Sequence, residues 1–76
     1  MSRADIRIIC DMCKSDYPQV ADIMATFKAK PFLIKAMDPY GMNALQYLAM
    51  NKKIDTLTFD EIISVAPKVK AEYEGM

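Results

Sequence analysis

The chain has 76 residues, 53% of them apolar and 26% charged, a composition typical of one globular domain spanning residues 1–76. Ten basic and ten acidic residues give zero net charge, which argues against nucleic-acid binding through a strong basic field. No apolar run reaches the roughly 18 residues that cross a membrane, and the early charges Arg3, Asp5 and Arg7 are atypical of a signal peptide. We therefore expect a cytoplasmic protein (host cytoplasm if it is viral), without membrane contact and with reduced cysteines.

The first predicted helix covers residues 3–14. Its apolar positions form one stripe at helical spacing and a second row beside it: Ile6, Ile9, Cys10 and Cys13, then Ile8 and Met12. Ser2 is a suitable N-cap, and Asp5 places negative charge in the first turn, where it favours the helix dipole. A helix that is apolar over so much of its circumference is predicted to pack against more than one neighbour.

A second helix is predicted over residues 18–29, with Pro18 in its first turn and Asp16 or Tyr17 as the cap. Its apolar face consists of Val20, Ala21, Ile23, Met24 and Phe27. Because the joint is short, the two helices are predicted to run antiparallel. Lys30-Pro31 ends the second helix, and the apolar run 32–34 predicts a brief strand or an extended segment.

The third predicted helix covers residues 43–51 and follows a turn. Asp38 and Pro39 open the turn, Gly41 can adopt positive φ, and Asn43 can cap the helix. The apolar stripe of this helix comprises Ala44, Leu45, Leu48 and Ala49.

The fourth helix is predicted over residues 59–66, after a capping box in which Thr58 and Glu61 bond each other's backbone N–H groups. Its apolar face comprises Phe59, Ile62, Ile63 and Ala66, and Pro67 is expected to stop or kink it. Ile54 and Leu57 are predicted to tether the preceding loop to the core. Residues 68–74 are expected to form a short last helix or to fray.

The segment 38–49 resembles the opening of an ankyrin repeat. The matching residues are Asp38, Gly41, Ala44, Leu45 and Ala49, whereas Asn43 stands for the family's capping Thr and Gln46 for its usual His. The resemblance implies an all-α fold of two stacked antiparallel helix hairpins with a protruding central loop. It also implies recognition of a folded partner through loop tips and the inner-helix face.

Cys10 and Cys13 form a CxxC motif, the spacing of many redox and zinc sites. Here the motif lies within a predicted helix, no strand precedes it, and it offers only two metal ligands. Buried core thiols are the favoured interpretation, and a metal or redox role is the alternative. The chain has no histidine and no glycine-rich phosphate loop, so we expect no catalytic residues, no cofactor, no metal and no enzymatic activity.

The expected function is non-catalytic protein binding, as a small inhibitor or adaptor for which a viral or mobile-element origin is conceivable. The predicted binding residues lie in the central loop: Lys35, Met37, Asp38, Tyr40 and Met42. Tyr40 offers an amphipathic anchor, and flexible methionines suit an adaptable surface. An alternative role for the methionines is to cover the second helix pair. The alternative functions are a structural homo-oligomer that packs through this loop and, less favoured, a helical nucleic-acid-binding module.

Overall fold

The computed structural model describes residues 3–65, which form four α-helices and one short 3₁₀ helix. The elements in chain order are α1 (Arg3–Lys14), α2 (Val20–Ala29), the 3₁₀ helix (Pro31–Ile34), α3 (Ala44–Met50) and α4 (Thr56–Ser64). Residues 3–65 contain no β-strand, and a single antiparallel bridge joins Met37 to Asn43. The all-α prediction is therefore confirmed for this part of the chain.

Helix α1 has the predicted bounds. Ile9, Cys10 and Cys13 are buried, while Ile8, predicted to belong to a second apolar row, is exposed. The helix packs against α2, α3 and the 3₁₀ helix, as its broad apolar surface predicts. Asp5 in the first turn and Lys14 in the last both complement the helix dipole.

Helix α2 begins two residues later than predicted. Its N-cap is Gln19, whose side chain makes no capping hydrogen bond and whose carbonyl accepts the N–H of Ile23. Pro18 therefore precedes the helix instead of occupying its first turn. Ile23 and Phe27 are buried, and α2 packs against α1, α4 and the 3₁₀ helix.

The apolar run after α2 is helical, so the strand or extended segment predicted there is wrong. Pro31 starts a single 3₁₀ turn, for which its fixed φ is well suited. The turn buries Leu33 and Ile34 together and leaves Phe32 exposed. An extended segment would place neighbouring side chains on opposite faces and could not bury this consecutive pair on one side.

Helix α3 is capped by Asn43, as predicted, and the cap is reciprocal. The backbone N–H of Gln46 donates to Asn43 Oδ1 (2.9 Å), and the N–H of Asn43 donates to Gln46 Oε1 (2.8 Å). Gln46 thus completes a capping box. Ala44, Leu45 and Leu48 are buried.

Helix α4 begins three residues earlier than predicted, and the capping box assigned to Thr58 and Glu61 is wrong. The N-cap is Asp55, whose carboxylate accepts the N–H of Thr58 at 2.7 Å. Leu57 consequently lies in the first turn, on the side facing away from Ile62 and Ile63. It is 72% exposed and does not tether the loop. Ile54, by contrast, packs against the core.

One hydrophobic core joins all five elements. Its buried members are Ile9, Cys10, Cys13, Ile23, Phe27, Leu33, Ile34, Ala36, Ala44, Leu45, Leu48, Ile62 and Ile63. Helix α1 packs on α3, and α2 packs on α4. The Cα radius of gyration is 11.2 Å, close to the roughly 11 Å of a folded domain of this size.

The predictions for Ser2, Ala66, Pro67 and residues 68–74 lie outside the described residues. Within residues 3–65, none of the helices has the length and apolar character required to span a bilayer.

A groove between helix α1 and the central loop

The central loop, residues 35–42, carries apolar side chains that are exposed to solvent. Tyr40 is 84% exposed and Met37 is 62% exposed, whereas Asp38 and Met42 are half-buried. Lys35 is exposed. A large aromatic and a thioether therefore reach solvent at the tip of this loop.

The tip of the loop is a hydrogen-bonded β-turn. The N–H of Gly41 donates to the carbonyl of Asp38 (3.0 Å), and the N–H of Asp38 donates to the carbonyl of Met42 (2.8 Å). Gly41 has φ +77°, as the turn chemistry predicts. No atom lies within 4 Å of the position that a Cβ would take there, so the turn selects glycine through backbone conformation and not through crowding.

The carboxylate of Asp38 holds the loop together. Its Oδ1 accepts the backbone N–H groups of Tyr40 (2.9 Å) and Met42 (3.0 Å), and its Oδ2 accepts the hydroxyl of Tyr47 on α3. We call these four residues the Asp38 network. Because the network fixes the backbone on both sides of Gly41, the exposed ring of Tyr40 projects from a constrained segment.

Two pKa values reflect this network. The hydrogen bond from Tyr47, assisted by the backbone N–H groups of Met42 and Tyr40, lowers the pKa of Asp38 below its ordinary value of 3.8. The same hydrogen bond raises the pKa of Tyr47 to about 12. Asp38 is therefore ionised and Tyr47 is protonated at neutral pH, the combination that the hydrogen bond requires.

The lowered pKa of Asp38 predicts a loss of stability in acid. A carboxyl group whose pKa is lower in the folded state stabilises the fold above its unfolded pKa, and this contribution disappears as the pH falls through the folded pKa. We expect the wild-type melting temperature to fall more steeply below pH 3.8 than that of Asp38→Asn, which cannot titrate at this position. Asp55 also has a lowered pKa, but it is present in both proteins and cancels in the comparison. Parallel acid profiles of the two proteins would contradict the prediction.

A groove of about 700 Å³ runs between the loop and one face of α1. The loop contributes Met37, Asp38, Pro39 and Tyr40, and α1 contributes Arg3, Ile6, Arg7, Cys10, Asp11 and Lys14. Ile6, Met37 and Tyr40 supply apolar surface, and the charged residues of α1 form one side. The groove is thus a concave surface of mixed character beside the exposed loop tip.

Three of the five predicted binding residues line this groove: Met37, Asp38 and Tyr40. Lys35 and Met42 are not among its lining residues, and Asp38 serves the loop's own structure. Sequence reasoning missed the contribution of α1. The spacing of Arg3, Arg7 and Asp11 at i, i+4, i+8 was a visible signal of one polar helix face.

Cys10, which lines the groove, and Cys13 both belong to the core and are buried free thiols. Burial raises the pKa of Cys13 to about 12, and burial followed by the charge of Asp38 raises that of Cys10. The thiolate, which is the form that reacts and binds metal, is therefore scarce at neutral pH. In the described part of the chain, no three metal-binding side chains group together.

The chain matches no family model, no curated protein and no solved structure.

Proposed function

We propose that this protein is a non-catalytic protein-binding module that takes its partner in the groove between α1 and the central loop. The observation that carries the proposal is the exposed ring of Tyr40, held at the groove's edge by the Asp38 network. A tyrosine buries a large, rigid, amphipathic surface at low entropic cost, which is why such residues dominate interface energies. The fixed loop backbone reduces the ordering cost further.

The helix arrangement supports an ankyrin-like interpretation of the scaffold. In a stack of two helix pairs, the first helices of each pair pack together and so do the second helices, as α1 does with α3 and α2 with α4. The five-residue connections 15–19 and 51–55 are short enough for antiparallel pairs. Helix α1 packs on α2, whereas α3 packs on α1 and the 3₁₀ helix, and α4 packs on α2. We therefore propose that the domain is two divergent ankyrin-type repeats, with the Asp38–Gly41 turn as the loop between them.

Peptide selection followed by substitution of Tyr40 tests the function. Random-sequence peptides displayed on phage are selected against the wild-type protein, and the affinities of the enriched peptides are measured by fluorescence anisotropy. Tyr40→Ala is expected to weaken their binding about 30-fold, equivalent to about 2 kcal/mol, because it removes the aromatic anchor. Its circular dichroism spectrum and melting temperature are expected to match those of the wild type.

Tyr17→Ala is the matched control, since Tyr17 is 81% exposed, much like Tyr40, but does not line the groove. Equal effects of the two substitutions would contradict the proposal. Light scattering addresses the alternative function: a tight dimer that Tyr40→Ala converts to a monomer would show that the loop packs on a second copy of the chain. In that case homo-oligomerisation, and not the binding of a different protein, would be the function of the loop.

A further inference from the structure

The charges of the groove residues do not sum to zero, although those of the whole chain do. Arg3, Arg7 and Lys14 line the groove with only two carboxylates, those of Asp11 and Asp38. The groove therefore carries one more positive than negative charge, while the sequence as a whole is neutral. All three cations lie on α1, along the side of the groove opposite Tyr40.

Both carboxylates are already occupied. Asp11 pairs with the Nζ of Lys14 (3.4 Å) and with the Nε of Arg7 (3.9 Å). Asp38 accepts three hydrogen bonds within its network. Asp38 is therefore committed to the loop, and Asp11 shares its charge with Arg7 and Lys14. Among residues 3–65, Arg3 is the groove cation that takes part in no ion pair.

Arg3 and Arg7 are exposed cations of the groove, whereas the ammonium of Lys14 pairs with Asp11 and lies 5.3 Å from the ring centroid of Tyr47. The side chain of Arg7 is 85% exposed, and exposed ion pairs contribute little and exchange readily. The ion pairs of residues 3–65 do not include Arg3. An arginine guanidinium presents a planar fork of donors that matches a carboxylate in two parallel hydrogen bonds.

Apolar surface lies beside these cations. Ile6 is partly buried against the core, and Met37 and Tyr40 are exposed on the other side of the groove. A partner residue inserted between them would bury apolar area while neighbouring carboxylates meet Arg3 and Arg7. The groove thus combines an apolar contact with a cationic edge.

We infer that the groove binds an acidic polypeptide segment that carries one apolar anchor residue between its carboxylates. This inference rests on the proposed function and specifies the chemistry of its partner. Nucleic acid is disfavoured as the occupant, because one excess positive charge in the groove and zero net charge on the chain attract a phosphate backbone only weakly. Carboxylate-bearing side chains, which can be spaced to avoid Asp11, fit this surface better.

The test extends the peptide selection to a charge-reversed protein, Arg3→Glu with Arg7→Glu. Peptides enriched on the wild type are expected to be net acidic and to contain an aliphatic or aromatic residue. They are expected to bind the reversed variant about tenfold more weakly and to lose affinity between about 0.05 and 0.2 M salt. Selection on the reversed variant is expected to enrich basic peptides instead.

Lys28→Glu with Lys52→Glu is the control, because both lysines are exposed and neither lines the groove. The inference is overturned if the peptides that require Tyr40 are neutral or basic. It is also overturned if the two double variants weaken the binding of these peptides equally. The proposed protein-binding function survives either result. If no enriched peptide requires Tyr40, the proposed function itself fails. If a random-sequence single-stranded RNA binds at micromolar affinity near physiological salt and Arg3→Glu with Arg7→Glu abolishes it, the groove is a nucleic-acid site instead.

Discussion

Alkylation of Cys13 by iodoacetamide is expected to be about a thousandfold slower in the folded protein than in denaturant at the same pH. The side chain is fully buried, and burial, followed by the neighbouring Cys10, raises its pKa from 9.0 to about 12. Below both values each pKa unit lowers the thiolate fraction about tenfold, and the fully buried sulfur is also shielded from the reagent, so a rate on the order of a thousandfold lower is expected. Mass spectrometry of the peptide that contains both cysteines, fragmented to locate the label, measures the rate at each thiol.

The denatured protein provides the reference rate, and Cys10 provides an internal comparison. Native and denatured rates at Cys13 that agree within about tenfold would contradict the core-thiol interpretation. So would stoichiometric zinc in the purified protein. The same pKa sets a second expectation: a thiol with a raised folded pKa stabilises the fold below pH 9.0, and this contribution is lost as the pH rises toward 12.

Replacement of Asn51 by alanine is expected to lower the free energy of unfolding by about 2 kcal/mol, or the melting temperature by roughly 10 °C. The Nδ2 of Asn51 donates to the carbonyls of Cys13 (2.8 Å) and Ser15 (2.9 Å), at the C-terminal end of α1. Its Oδ1 accepts the N–H of Lys53 (2.9 Å). Alanine removes all three hydrogen bonds and leaves partly buried carbonyls without these donors. Thermal unfolding followed by circular dichroism measures the change.

Two further substitutions separate the donor from the acceptor of Asn51. Asn51→Asp keeps the acceptor for Lys53 but places an oxygen where the amide donated, so it is expected to destabilise at least as much as alanine at neutral pH. Lys52→Ala, at an exposed neighbouring position, is expected to change stability by less than about 0.5 kcal/mol. If Asn51→Ala and Lys52→Ala melt at the same temperature, the hydrogen bonds from Asn51 to the end of α1 contribute nothing to stability.

The helices whose signals are local could be predicted from the sequence. The apolar stripe of α1 and the cap of α3 at Asn43 each lie within a few residues, and both predictions are confirmed. Two cap signals overlap before α4, one at Asp55 and one at Thr58, and nothing local ranks them. The structure uses Asp55, whose carboxylate accepts the N–H of Thr58. The run 32–34 was equally ambiguous, since three apolar residues show no period.

The candidate site was predictable where turn chemistry determined it. Gly41 and the exposed Tyr40 follow from the turn. The hydrogen bond from Tyr47 to Asp38 joins residues nine positions apart, and that from Asn51 to Cys13 joins residues 38 positions apart. Such contacts depend on how the helices pack, which hydrophobic periodicity does not specify. The polar face of α1 was visible in the sequence, but its position beside the central loop emerged only from the structure.

The packing of α1 on α3 and of α2 on α4 has a consequence for how the chain folds. Each helix has only 7 to 12 residues, too few for stability in isolation, and each finds a partner in the other half of the chain. Neither half can therefore bury its apolar face alone. The domain is expected to melt in one cooperative transition, and its groove exists only once both halves have assembled.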